Sequence, residues 1–141
     1  MNVALEEADD ADWPGFDIAK PPPAHVDAFL DWLPFAPIGR WELFDGQARC
    51  MSPASPTHGA TQGNVAGEIH AHLRKTGSPC RVLTEAPVVP HIESDTNLRV
   101  PDILVTCTPD KRGQKVVSDP VLIVGILSPH NAGRTHANVW A

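Results

Sequence analysis

The chain has 141 residues, 42% of them apolar and 20% charged, with a formal net charge of −6. That is about one domain with enough apolar material for a core. The acidic balance excludes a protein that holds DNA by bulk electrostatics, because phosphate neutralisation needs a basic face; it leaves room for a metal-assisted site, where the ion brings the positive charge.

Residues 1–21 are acidic and end in prolines, so we expect a poorly ordered tail followed by a single domain over 22–141. The start has no basic segment and no apolar stretch of the kind a secretion signal needs. The longest apolar run, "VLIVGIL" from Val121, is seven residues and too short to span a bilayer. Cys50, Cys80 and Cys107 are widely spaced and form no CxxC pair. We read them as reduced thiols of a cytoplasmic protein that pack as small apolar residues.

In "PPPAHVDAFLDWLP", Val26, Phe29, Leu30 and Leu33 repeat at i, i+3, i+4 and i+7, the signature of one helix face, with prolines at both ends. "RWELFDGQARCMS", Arg40 to Ser52, reads as a hairpin, with Asp45-Gly46 as its two-residue turn. A loop and helix follow in "SPASPTHGATQGNVAGEIHAHLRKTG". Ser55 or Thr57 is placed to cap it, Val65, Ile69 and Leu73 form its apolar stripe, and Gly77 ends it. Gly59, Gly63 and Gly67 weaken its propensity and would let another backbone come close.

Three strands are expected next. Arg81 to His91 is broken by two prolines, which suits an edge or bulged strand. Leu98 to Thr106 is the second. Val121 to Ser128 is the third, and its near-continuous apolar character predicts burial on both faces. "SPHNAGRTHANVWA" then opens a helix. GxSxG, P-loop, GxGxxG and zinc-type Cys/His spacings do not occur. Lys111, Arg112 and Lys115 form one small patch, which reads as a solvated turn.

Four residues could carry chemistry. Asp102 lies among Val, Ile and Leu, where a carboxylate costs several kcal/mol unless paired. A metal, an arginine such as Arg99, or a backbone amide would serve; so would a plain role at the start of a strand. Glu85 is an outward solvated side chain, or else faces Asp102 if the first two strands pair. Two such acids plus a phosphate oxygen and waters make an ordinary Mg²⁺ site. His58, at the helix entrance, is a surface histidine beside a cap or a group that orients water or touches phosphate. Glu42, on the hairpin, either reaches the same cleft or faces water. His70 and His72 are i, i+2 on a helix and face different ways, and Glu68 is read as solvated.

The blocks "WELFDGQARCMSPASPTHG", "TEAPV", "RVPDILV" and "PVLIVGILSPHN", in that order, make the chain resemble the Uma family of restriction-endonuclease-like bacterial proteins over about residues 24–141. The resemblance implies an α/β (α+β) fold with a PD-(D/E)XK nuclease-like core, a mixed sheet flanked by helices. It also implies metal-dependent cleavage of phosphodiester bonds in DNA, with Mg²⁺ or Mn²⁺ as cofactor. By position, Asp102 matches the aspartate of the family's "PD" strand, Glu85 the acid on the preceding strand, His58 the histidine after "SPxS" and Glu42 the hairpin glutamate. Asp102 and Glu85 would be the metal ligands.

Two departures stand out. The family's third strand reads "VEVLSP" or similar; here it reads "VGILSP", with Gly125 in place of the metal-binding glutamate. The lysine many members carry in the next helix is matched by neither Asn138 nor Val139. Relatives also continue past the end of this chain, so the copy looks truncated. The expectation is therefore a weakened or inactive endonuclease that holds DNA weakly. The rival reading is a non-catalytic nuclease-fold relic that pairs its open sheet edge with a partner, as a homodimer would.

Overall fold

The computed structural model describes residues 24–127. The acidic tail, the helix after the third strand, and Asn138 and Val139 lie outside the described residues.

Helix α1, Val26–Trp32, forms where the apolar periodicity placed it and buries Val26, Phe29 and Trp32. Leu30 and Leu33 pack against that cluster from the side. The chain leaves α1 through a 3₁₀ turn at Leu33–Phe35, where Pro34 stops the helix. Strands β1 (Arg40–Phe44) and β2 (Gln47–Met51) form the hairpin. Asp45 and Gly46 both adopt positive φ, 47° and 73°, as a type I′ turn requires. The turn is tied down from outside: the Gly46 amide donates to the Thr96 carbonyl, and the Asp45 amide donates to the side-chain oxygen of buried Asn97.

Helix α2 runs Pro56–Lys75, with Ser55 as its cap: the Ser55 hydroxyl accepts from the His58 amide at 3.1 Å. Gly77 ends it at φ +66°, where the amides of Gly77 and Ser78 bond back to the Arg74 and Leu73 carbonyls. Val65, Ile69 and Leu73 are only half-buried, and no residue of α2 is buried. The helix glycines do not bring a second backbone close. A Cβ added at Gly59, Gly63 or Gly67 would meet nothing within 4 Å among the described residues.

Strands β3 (Arg81–Thr84), β4 (Ile103–Thr106) and β5 (Pro120–Val124) form a three-stranded sheet in the order β3-β4-β5. Both sheets are antiparallel, and the parallel component is one bridge between Val88 and Val117. With the helices, this is the α+β class expected. The strands are shorter than their apolar runs. Glu85, at φ 54°, turns the chain out of β3, and Pro101, which has no amide to donate, sits where the run from Leu98 breaks before β4.

Burial is the reverse of what apolarity suggests. Strand β4 is buried throughout, whereas β5 leaves Val121 64% and Leu122 46% exposed. Among the described residues β5 is an edge strand, so one flank and much of its surface stay open. The reading of all three cysteines as free thiols is also corrected. Cys80 and Cys107 are joined in a disulfide across the β3–β4 pair, just beyond Arg81 and Thr106, and Cys50 is the free, exposed one.

Segment 98–102 joins the two sheets. Leu98 exchanges both backbone hydrogen bonds with Leu43 of β1, Arg99 exchanges both with Val88, and β4 begins at Ile103. The hairpin is thereby held against the start of β4, and Asp102 sits at that junction.

Candidate functional site

The register of the three-stranded sheet sets the site. Thr84 and Val124 both pair with Ile103, so the next step outward places Glu85, Asp102 and Gly125 in one row across β3, β4 and β5. The Glu85 amide donates to the Asp102 carbonyl at 3.2 Å, which carries the β3–β4 ladder one residue further. In an antiparallel pair, directly opposite residues share a face. Gly125 therefore occupies the cross-strand position facing Asp102 and offers no side chain there.

Asp102 is buried, 8% exposed, and its charge is matched from three directions. His58 Nε2 lies 2.9 Å from Oδ1. The Ile126 backbone amide donates to Oδ2 at 2.7 Å. Arg40 lies 3.9 Å from Oδ1. Of the partners the sequence offered, the backbone amide is present, and the arginine is Arg40; Arg99 goes instead to Glu42. Gln62, one helical turn after His58 and so on the same face of α2, donates to the Asp102 carbonyl at 2.9 Å. The capped start of α2 thus docks on the start of β4 through two side chains.

Glu85 reaches the same place from the other side. Its carboxylate accepts from Arg40 Nη1 at 2.6 Å. The two acids therefore converge on one guanidinium, whose Nε contacts Met51 Sδ across the hairpin. Arg40 and Glu42 are i, i+2 on β1 and share a strand face. Glu42 does not face water. Its Oε1 accepts from the Val100 amide at 2.7 Å and its Oε2 lies 3.8 Å from Arg99. Burial pushes the Glu42 carboxyl above its usual range, and the nearby Asp102 charge adds to this. The Val100 hydrogen bond and the Arg99 and Arg40 charges pull the other way. Glu42 is a brace for the segment that delivers Asp102. Beneath it, Arg49 and Arg99 lie over the Phe44 ring, 4.4 and 4.2 Å from its centroid.

All four residues singled out in the sequence thus come to the start of β4. Sequence reasoning missed Arg40 and Gln62. Gln62 had a signal, its i+4 spacing from His58. Arg40 had only its alternation with Glu42, which cannot show which carboxylates its side chain will meet. Glu68 is exposed, as expected, and His70 and His72 are exposed as well.

The family model Uma2, described as "Putative restriction endonuclease", matches residues 26–140. The chain belongs to the Uma2 family. No curated protein and no solved structure matches it. Membership points to a nuclease-like function and to DNA as the class of partner. Among the described residues, no helix is long and apolar enough to cross a membrane.

The donors present do not fit a divalent cation. Among the described residues no group of three His, Cys, Asp or Glu side chains is placed to hold a metal ion. Both Asp102 oxygens already accept from other groups, Glu85 is bound to Arg40, and Glu42 is bound to Val100. What this arrangement can do is hold an imidazole. With Nε2 on Asp102, His58 is oriented by a carboxylate, leaving Nδ1 as the nitrogen able to take a proton.

Proposed function

We propose that this Uma2 chain is a restriction-endonuclease-like protein in which metal-dependent phosphodiester cleavage of DNA is weak or lost. The observation that carries this is the glycine facing Asp102 across β4 and β5. Cation-assisted sites of this size rely on one or two carboxylates plus substrate oxygens. A glycine there withholds one negative charge and one oxygen ligand. The His58–Asp102 pair still orients an imidazole. Cleavage also requires charge to be taken up on the phosphoryl oxygens, and Arg40 is already engaged by two acids.

The test is plasmid cleavage by the purified chain with Mg²⁺ or Mn²⁺. The native chain leaves the plasmid intact or nicks it slowly, and Gly125→Glu raises cleavage at least tenfold. Fast native cleavage that Asp102→Ala abolishes would overturn the proposal.

A second reading, a non-catalytic interaction module, is favoured by a separate observation. An open groove of about 470 Å³, lined by Ile69, Leu73, Val105, Val121 and Leu122, lies between α2 and the open β5 edge, away from the acids. In this reading the groove and edge close against a second copy. A chain inactive both as the native form and as Gly125→Glu, and dimeric by sedimentation, would favour the module over the weakened enzyme.

A further inference from the structure

We infer that the Cys80–Cys107 disulfide is a redox latch: a thiol reductant opens it in the folded chain, and the α2–β3 half then loosens while the α1–hairpin core stays closed. This goes beyond the cleavage reading and does not depend on it.

The two halves are fastened by different means. A buried apolar cluster drawn from α1, the hairpin and the segment before β4 closes the first. No residue of α2 or β3 is buried. Ile69 and Leu73 of α2, with Cys80, border an open groove of about 470 Å³ rather than a packed interface. Among the described residues β3 is an edge strand, joined to β4 by a ladder only 4 residues long. The N-terminal end of α2 is tied to β4 through His58 and Gln62. Its other end runs through Gly77 to Pro79 into Cys80, the residue before β3. The disulfide joins that point to Cys107, the residue after buried β4. One further fastener lies at this end. The Arg81 guanidinium pairs with Asp110 and donates to the Thr108 carbonyl at 3.5 Å. Asp110 is exposed, and ion pairs of that kind contribute little. Arg81 Nε is itself buried without a hydrogen-bond partner among the described residues. The covalent bond is therefore the main hold on the far end of α2.

The bond is also within reach of a reductant. Cys107 is exposed, and half-buried Cys80 lines the open groove. A thiolate can attack there without unfolding the chain. With a dithiol reductant, one thiolate attacks the Cys107 sulfur, the Cys80–Cys107 bond breaks, and Cys80 leaves as a thiolate that takes a proton. The second thiol of the reagent then attacks the mixed disulfide. The protein gains two electrons and two protons as two thiols, and the reagent leaves as its own disulfide. A 27-residue separation is no longer bridged, so the restraint that the cross-link placed on the open chain is lost. What remains over β3 and the second half of α2 is a short ladder and a half-buried stripe, the kind of region that opens locally at small cost. The α1–hairpin core keeps its buried cluster and its paired backbone bonds between Leu43 and Leu98.

The experiment compares the full chain oxidised and after treatment with dithiothreitol, followed by amide hydrogen exchange. Reduction goes at a rate set by the dithiothreitol concentration and unchanged by low urea, and iodoacetamide then labels Cys80 and Cys107 in addition to Cys50. Exchange rises at least tenfold across residues 64–84, changes less than twofold across residues 26–51, and returns to its first level on reoxidation. The double variant Cys80→Ala with Cys107→Ala exchanges like the reduced chain, with or without dithiothreitol. A bond reduced only when urea unfolds the chain is a buried staple, and that result overturns the inference. So does a reduced chain whose exchange is unchanged across 64–84, or rises equally across both ranges, as it would on complete unfolding. An air-oxidised chain in which iodoacetamide already labels all three cysteines, or a double variant that does not fold, overturns it as well. No DNA is present, so these results are independent of the plasmid assay. The cleavage reading stands or falls on Gly125→Glu, and the latch on reduction of the native chain.

Discussion

The region built on α1 and the hairpin and the region built on α2 and β5 both carry apolar residues, more densely in the first, and they close differently. In the first, Val26, Phe29, Trp32, Leu43, Leu98 and Val100 are buried together, and Trp32 meets Trp41 edge to face at 5.2 Å. In the second, among the described residues, no residue of the 20-residue α2 is fully buried, and β5 exposes Val121 and Leu122. Apolar content does not by itself make a core. A side chain is buried only when a second element covers it, and the α1 region has covers on two sides.

The largest expected consequence is a difference in the cost of truncation. Phe29→Ala removes a fully buried ring and should cost about 3–5 kcal/mol. Ile69→Ala, on the half-buried stripe of α2, should cost about 1 kcal/mol or less. Urea unfolding of both variants measures this, with equal slopes required for the comparison. Similar losses at the two positions would erase the distinction between the regions and mean that α2 is covered in solution.

The contrast also explains what the sequence could and could not reveal. Local chemistry was readable. The helix face at Val26 and Phe29, the Asp45-Gly46 turn, the Ser55 cap and the Gly77 stop depend on neighbours a few residues away, and each falls where expected. Strand lengths and burial were not readable, because they depend on partners distant in sequence. Val121 to Ser128 looks like a buried centre, yet β4 holds that place and, among the described residues, β5 lies at the edge. Cys80 and Cys107 are 27 residues apart, and only the β3–β4 register brings them together. At the site, Asp102, Glu85, His58 and Glu42 stood out as polar groups in apolar or capping settings. Arg40 did not, because its role is set by two carboxylates 45 and 62 residues later in the chain, and only folding brings all three together.

A smaller effect of opposite sign sharpens the same comparison. Gly63 lies inside α2 and faces open space among the described residues. Replacing it with alanine adds no clash and reduces the freedom of the unfolded chain, so Gly63→Ala should stabilise by about 0.5–1 kcal/mol. A rise in the urea midpoint at unchanged slope is the expected result. A loss would show that something closes on this face of α2 in solution, as the module reading requires of the neighbouring groove.

The smallest effect belongs to the packed region and depends on pH. Burial holds the Glu42 carboxyl above its usual range, the Val100 hydrogen bond and two arginine charges notwithstanding. A carboxyl with a raised folded pKa binds its proton more tightly folded than unfolded. Between its ordinary value, about 4.3, and the raised one, the native state holds the extra proton, so stability falls as pH rises through that window. At higher pH the cost is constant. Glutamine at 42 keeps an oxygen to accept from the Val100 amide but has no proton to lose. The stability of Glu42→Gln relative to the native chain should therefore increase as pH rises above the ordinary carboxyl range and level off once Glu42 is ionised in the folded state. Subtracting the two melting curves pH by pH isolates this contribution from the other carboxylates. A difference that stays flat, or that runs the other way, would mean that the Arg99 and Arg40 charges outweigh burial. Glu42 would then be a paired surface acid, and the α1 region would be less thoroughly closed than its core suggests.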